Sequence, residues 1–237
     1  DNAYREKVDK AVTAAFKLKN VPSSITLQCK EYRILAWSTM AWTFIPNLAL
    51  AVNKDMQYIC VKKGEVCNII AKFAYSKYQE VLYDEGSEVL EISGSDLVGL
   101  EYEPIFNYFV GHKNAFRILD GHFVVEGEGT GVVSIAPGFG EDDQMLCQAN
   151  DIELVCPVDN AGKFTSEVPD FKGVQVFDAI DNIIINIKSK GLWVKTEQYI
   201  HNYPHCWRTD TPLIYKAVPS WYVEVTAFKD RMVELNQ

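Results

Sequence analysis

No apolar run in these 237 residues approaches the ~18 needed for a helix to cross a bilayer. The longest candidate, Ala36 to Val52, is interrupted by Ser, Thr, Pro and Asn, so no membrane partner is expected. Positive charge is also short. Lys and Arg number 23 against 32 Asp and Glu, a net charge of −9. That argues against gripping nucleic acid over a broad face, which needs a surplus of cations. C-x-x-C pairs are absent. The cysteines, Cys29, Cys60, Cys67, Cys147, Cys156 and Cys206, fall in a chain too large to need a disulfide frame, and their usage fits a reducing compartment. His201, His205 and Cys206 come nearest to a metal cluster, but Cys206-Trp207-Arg208-Thr209 lacks the second thiolate of a zinc knuckle, so no metal is expected. Asp1-Asn2-Ala3 offers no initiator Met, charged n-region or signal core. The chain reads as mature cytoplasmic material, or as a piece of something longer.

What is present is ordinary globular composition: 48% hydrophobic, 12% aromatic and 23% charged. That is enough to bury a core without staples, at a length of one to two domains. Val12, Ala14, Phe16 and Leu18 alternate with Thr13, Ala15 and Lys17, the period of a half-buried strand. Short strand-like runs follow at Ile25–Gln28, Arg33–Trp37, Asn47–Val52, Tyr58–Val61, Val66–Phe73, Val89–Ile92, Phe116–Ile118, His122–Val125 and Val132–Ile135, punctuated by glycines. Strands resume at Leu192–Tyr199 and Tyr222–Val225. Helices are predicted at Tyr75–Tyr83, at Glu141–Asn150 with acidic residues in its first turn, and along Val176, Ile180, Ile183, Ile184 and Ile187, whose spacing makes one apolar face. A final amphipathic turn runs from Phe228 to Leu235. This is an α+β chain, mainly β, with barrel-like curved sheets and a few short helices. A core over 1–200 with a C-terminal strand or hairpin extension over 201–237 is the simplest division.

Familiar catalytic signatures are missing. Gly127-Glu128-Gly129-Thr130-Gly131 completes neither G-x-G-x-x-G nor G-x-x-x-x-G-K-[ST], and Ser134 is in no G-x-S-x-G elbow. Two segments remain unusual. One is Ala36-Trp37-Ser38-Thr39-Met40-Ala41-Trp42-Thr43-Phe44-Ile45-Pro46-Asn47, where hydroxyls and indoles crowd together; a turn whose Ser and Thr satisfy their own backbone is its plainest account. The other is Gly129-Thr130-Gly131-Val132-Val133-Ser134-Ile135-Ala136-Pro137-Gly138-Phe139-Gly140-Glu141-Asp142-Asp143, a strand, a Pro/Gly turn and an acidic helix start. Charge placement on an exposed helix explains it equally well.

At these two segments the chain resembles the editing domain of isoleucyl-tRNA synthetase, the connective-peptide insertion of that class I family. The first is similar to the family's W-T-T-T-P-W-T-L-P-S-N, the second to its G-T-G-I-V-H-x-A-P-x-F-G-E-D-D. Asp96–Phe106, Pro157–Thr165, Glu167–Phe171 and Pro204–Tyr222 extend the likeness. The Trp42-Thr43 pair favours the isoleucyl branch over valyl and leucyl relatives, which carry T-T-R-P followed by an acidic residue. The H-I-G-H and K-M-S-K-S signatures of the aminoacylation site are absent, so this chain alone is not expected to aminoacylate.

The resemblance implies hydrolysis of valine misattached to the isoleucine-accepting tRNA, and, as a second substrate, of valyl-adenylate. An apolar pocket separates amino acids differing by one methylene, isoleucine and valine among them, by only about 1–3 kcal/mol. A second, smaller pocket makes up the shortfall. By the resemblance, Asp143 holds the substrate's α-ammonium, Thr39 and Ser38 surround the ester and the water, and Trp42, Thr43, Met40, Asn47 and Ser134 complete the wall. An aminoacyl ester is already activated, so positioning a water and stabilising an oxyanion suffices, without a covalent intermediate. Ser134 stands where the family has His, Met40 replaces a Thr, and Ala41 replaces Pro. These departures motivate an alternative, a degenerate domain that only docks the tRNA acceptor end. The implied partners are the 3′-terminal aminoacyl-adenosine and the rest of the synthetase chain. No cofactor is implied for editing; ATP and Mg²⁺ belong to the aminoacylation site.

Overall fold

Strand β1 (Tyr4–Lys17) sets the frame of the computed structural model, which describes residues 3–236. Its first half alternates exposed and partly covered residues, but Ala11 to Phe16 are all buried. The sequence alternation predicts one wet face there. Instead Thr13 and Ala15 lie as deep as Val12 and Phe16, because Tyr78 of helix α1 (Tyr75–Leu82) packs on the second face, its hydroxyl 2.7 Å from Thr13 Oγ1. Small side chains at 11, 13, 14 and 15 leave room for that cover.

β1 pairs antiparallel with β2 (Glu31–Ser38) on one edge and with β9 (Trp193–Pro204) on the other. β2 then serves two neighbours. Its first half runs parallel to β5 (Val66–Ala71), and its end meets β8 (Val133–Ile135) at Trp37↔Val133. From β5 the sheet continues antiparallel through β4 (Gln57–Lys63) to β6 (Glu88–Ser93). From β8 it continues through β3 (Ala49–Val52) to β7 (Arg117–Asp120). The result is one nine-stranded mixed sheet split into two arms at β2, a half-barrel with few short helices, as the sequence led us to expect.

Helices α2 (Glu141–Ala149) and α3 (Ile180–Ser189) form where the acidic start and the isoleucine stripe place them; Ile183, Ile184 and Ile187 are buried core. The pattern overreached elsewhere. Ile25–Gln28 is a loop whose Leu27 carbonyl is bonded by the Tyr32 hydroxyl, and His122–Val125 is a turn closed by Val124 N–H on Gly121 O. Tyr222–Val225 pairs with no strand among the described residues and is exposed, and α4 (Lys229–Leu235) beyond it is exposed all round. Short apolar runs become strands only where they pair with an edge, and among the described residues these do not.

The cysteine expectation also needs correcting, since the structure joins Cys29 to Cys67 in a disulfide. Parallel pairing sets Tyr32 opposite Cys67, and the Tyr32 hydroxyl accepts the Cys29 N–H, folding the preceding loop back until the two Cα atoms are 6.0 Å apart.

Two glycines of the Gly127–Gly131 run are required by packing. Gly129 (φ +58°) lies under the Trp37 ring, and a Cβ on Gly131 (φ +70°) would stand 2.3 Å from the Ala71 Cβ. Gly131→Ala is therefore expected to cost more than about 2 kcal/mol in urea unfolding, since strain and overlap add. A loss under about 0.5 kcal/mol, the range of an innocuous surface change, would refute this packing account.

Candidate functional site

The sheet brings the two unusual segments together. β8 is wedged between the end of β2 and β3, with Trp37 opposite Val133 and Leu50 opposite Ser134. A cleft of about 390 Å³ opens there, walled by Ser38 and Thr39 on one side, the Gly129–Ser134 stretch on another, and Tyr199 and His201 of β9 on a third.

Hydroxyls in the first segment divide their labour. Ser38 Oγ accepts the Met40 N–H at 3.2 Å and lies 3.3 Å from Thr43 Oγ1, while Thr43 Oγ1 donates to the Met40 carbonyl at 2.9 Å. These bonds close the 3₁₀ turn Ala41–Phe44. The local-turn account is therefore correct for Ser38 and Thr43. Thr39 is different: its hydroxyl has no partner among the described residues, and it lines the cleft.

Asn47 is buried and fully used. Its Nδ2 donates to Ala49 O at 2.7 Å and to Ser134 Oγ at 2.9 Å, and its Oδ1 accepts the Tyr102 hydroxyl at 2.6 Å. Complete burial pushes the Tyr102 phenol well above its ordinary pKa, against a smaller opposing effect of the Asn47 bond, so it remains a donor. The bond to a backbone carbonyl identifies Nδ2 as the amide nitrogen. Ser134 therefore accepts from Asn47 and keeps its own O–H for the cleft it lines.

Asp143 sits in the first turn of α2, whose N-terminus favours a carboxylate. Its Oδ2 accepts the Ala136 N–H at 2.8 Å, just past β8. Burial nonetheless dominates and raises its pKa to about 6; the bond to Ala136 opposes the shift and the neighbouring Asp142 adds to it. Trp42 meets Phe139 edge-on with centroids 4.8 Å apart, and its buried Nε1 has no acceptor among the described residues.

Of the residues named from the sequence, Ser38, Thr39 and Ser134 line the cleft. Met40, Trp42 and Asn47 are buried and do not line it, Asn47 reaching it through Ser134; Thr43 braces the turn, and Asp143 is tied to the end of β8 outside the lining. Sequence reasoning missed Tyr199 and weighed His201 only as a metal ligand. Their signal was the run Tyr199, His201 and Tyr203, every second residue of one strand and so on one face, with His205 just past its end.

An aspartate with a raised folded-state pKa favours the fold most when protonated, so its stabilising contribution is complete below the unfolded value and lost as pH rises through about 6. Asp143→Asn keeps the acceptor for Ala136 N–H and removes the buried charge. Chemical denaturation should show it more stable by roughly 2–3 kcal/mol at pH 8, the gain vanishing towards pH 4. A variant less stable at pH 8 would contradict the burial of this charge.

No family model matches the chain. It is 64% identical over 238 residues to the isoleucine–tRNA ligase of Rickettsia africae (strain ESF-5), an alignment covering 100% of this chain and 22% of that protein. With the isoleucine–tRNA ligase of Rickettsia typhi (strain ATCC VR-144 / Wilmington) it shares 61% over 249 residues, 100% of this chain and 23% of that protein. The chain thus spans under a quarter of the length of these curated relatives. Among solved structures, GlLeuRS-CP1 superposes with a TM-score of 0.62 at 12% identity, covering 79% of this chain and 98% of that one. The P. knowlesi cytosolic leucyl-tRNA synthetase editing domain does so with a TM-score of 0.59 at 12% identity, covering 82% and 97%. At that identity these two structures establish a shared fold.

Proposed function

Because the chain belongs to the isoleucine–tRNA ligase family, as its connective-peptide editing domain, we propose that its cleft hydrolyses the ester joining misattached valine to the isoleucine-accepting tRNA. The observation that carries this reading is the pair of hydroxyls lining one cleft between the two motifs, Thr39 with no partner among the described residues and Ser134 held by Asn47. Thr39 positions the water. Ser134, fixed by Asn47, donates to the oxygen of the ester carbonyl as charge develops there. Asp143 holds the α-ammonium through a charge-assisted hydrogen bond and thereby orients the carbonyl carbon. Water adds to that carbon, the bond to the ribose oxygen breaks, and the proton from water passes to the departing ribose. Valyl-adenylate, an acyl anhydride with the same aminoacyl group, is a second substrate of this reading.

The partners follow from the same reading. The 3′-terminal adenosine enters the cleft, while the phosphates of the tRNA are held by the remainder of the synthetase, so the acidic balance of this segment is no obstacle. Exposed Trp221, Tyr222 and Phe228 are assigned to contacts with that remainder. Among the described residues no helix is long and apolar enough to cross a membrane, and a cytoplasmic site of action belongs to the proposal.

The test is deacylation of mischarged valyl-tRNA by the full-length ligase carrying substitutions in this segment. Thr39→Ala and Asp143→Ala are each expected to slow valine release by about 10- to 1,000-fold, the range for loss of one positioning or oxyanion contact. Unchanged rates in both would refute the site. Tight tRNA binding without valine release by the unsubstituted enzyme would point to docking alone.

A further inference from the structure

One wall of the cleft has no task in the reaction above. There β9 contributes His201, and behind the ring lies Asp9 of β1, only 7% exposed. Asp9 Oδ2 is 2.7 Å from His201 Nε2, while Asp9 Oδ1 accepts from the Lys7 ammonium. A buried carboxylate needs a counter-charge, and Lys7 supplies it. The bond to His201 does something further. A carboxylate paired with an ammonium can only accept, so Nε2 carries a hydrogen, and in the neutral imidazole it is Nδ1 that holds the lone pair. Nδ1 has no partner among the described residues. Tyr199 and Tyr203 flank the ring, with centroids 5.4 and 5.5 Å away, and restrict its rotation. Thr39, with its own hydroxyl unpartnered, lines the same cleft.

We propose that His201 is the general base of this cleft and that Asp9 is its positioning residue. This rests on the deacylase reading and adds to it the group that takes the proton. Nδ1 removes a proton from the water held at Thr39 as the water oxygen bonds to the ester carbonyl carbon. The carbonyl π pair moves onto oxygen and faces Ser134. Collapse of the tetrahedral species breaks the bond to the ribose oxygen, and the imidazolium returns the same proton to that oxygen. Valine and a free 3′ end leave, and His201 is regenerated. Asp9 takes no proton in either step; it fixes which nitrogen is free and steadies the imidazolium between them.

The arrangement was hidden from sequence inspection because its two members lie 192 residues apart and meet only through the β1–β9 pairing.

Single-turnover release of valine from valyl-tRNA by the full-length ligase tests this. His201→Ala is expected to slow the chemical step by about 100-fold or more, within the usual range for a general base, with tRNA affinity unchanged. Free imidazole in the buffer should restore about tenfold of that loss, which a structural defect would not allow. His201→Gln, which can still donate to Asp9 and fill the space, should be equally slow, keeping the test sound if the alanine variant folds poorly. Asp9→Asn should lower the rate constant without weakening tRNA binding. Full activity in His201→Gln, or a loss in His201→Ala that imidazole does not relieve, would overturn the assignment. If Thr39→Ala and Asp143→Ala are inactive while His201→Gln is not, the base assignment falls and the deacylase reading stands. If the unsubstituted enzyme releases no valine, both fall.

Discussion

A single buried carboxamide holds the site together. Asn47 spends both N–H bonds and its carbonyl on Ala49, Ser134 and Tyr102, so it joins the end of one motif to the middle of the other and anchors both to the core. No other polar group in the region is so completely committed. Removing any partner strands a buried donor or acceptor, which costs about 1–3 kcal/mol, more than a typical net hydrogen bond gains. The β3–β8 pairing sets the two segments side by side, and Asn47 locks their register. It also decides chemistry at a distance from itself: by donating to Ser134 it turns that hydroxyl outward as a donor.

Around this node the molecule keeps charge out of the core except where it is held. Asp143 and Asp9 are the two carboxylates that matter, and they are treated differently. Asp9 is paired with Lys7 and His201, so its burial is compensated. Asp143 has a backbone N–H and a helix terminus, too little to offset desolvation, and its pKa rises to about 6. A carboxylate left short of a counter-charge is poised to take one from a ligand, and in the proposed reaction an α-ammonium would supply it. The same burial that costs stability in the empty domain thus strengthens the grip on a cationic group in a low-dielectric site.

Much of the fold was legible. Alternation and turn residues located β2, β4, β5 and β6, and the acidic start and isoleucine stripe located α2 and α3. Periodicity misled where it lacked a partner. Ile25 is buried in a loop, and the alternation of β1 concealed a strand covered on both faces. The site was less legible. Spacing alone flagged two odd segments and left a bland account of each open; the roles came from a resemblance. That the Met40 and Trp42 side chains turn inward was invisible, because a one-dimensional motif does not say which face each residue takes. The Asp9–His201 pair and the Cys29–Cys67 bond depend on strand registers that no local pattern contains.

The chain accounts for under a quarter of the isoleucine–tRNA ligases it matches, and in the function proposed for it this segment shapes a pocket for the aminoacyl end of a tRNA. In the proposed function the cleft between Thr39 and Ser134 receives the aminoacyl end. Valine linked by an amide to the 3′ position of adenosine is a stable stand-in for the ester. Titrated into the labelled 237-residue chain, it should move the backbone amide resonances of Thr39, Gly129 to Ser134, His201 and Asp143 together, with one common affinity. Shifts confined to another face, or a bound analogue that leaves Thr39 and Ser134 unmoved, would contradict the account.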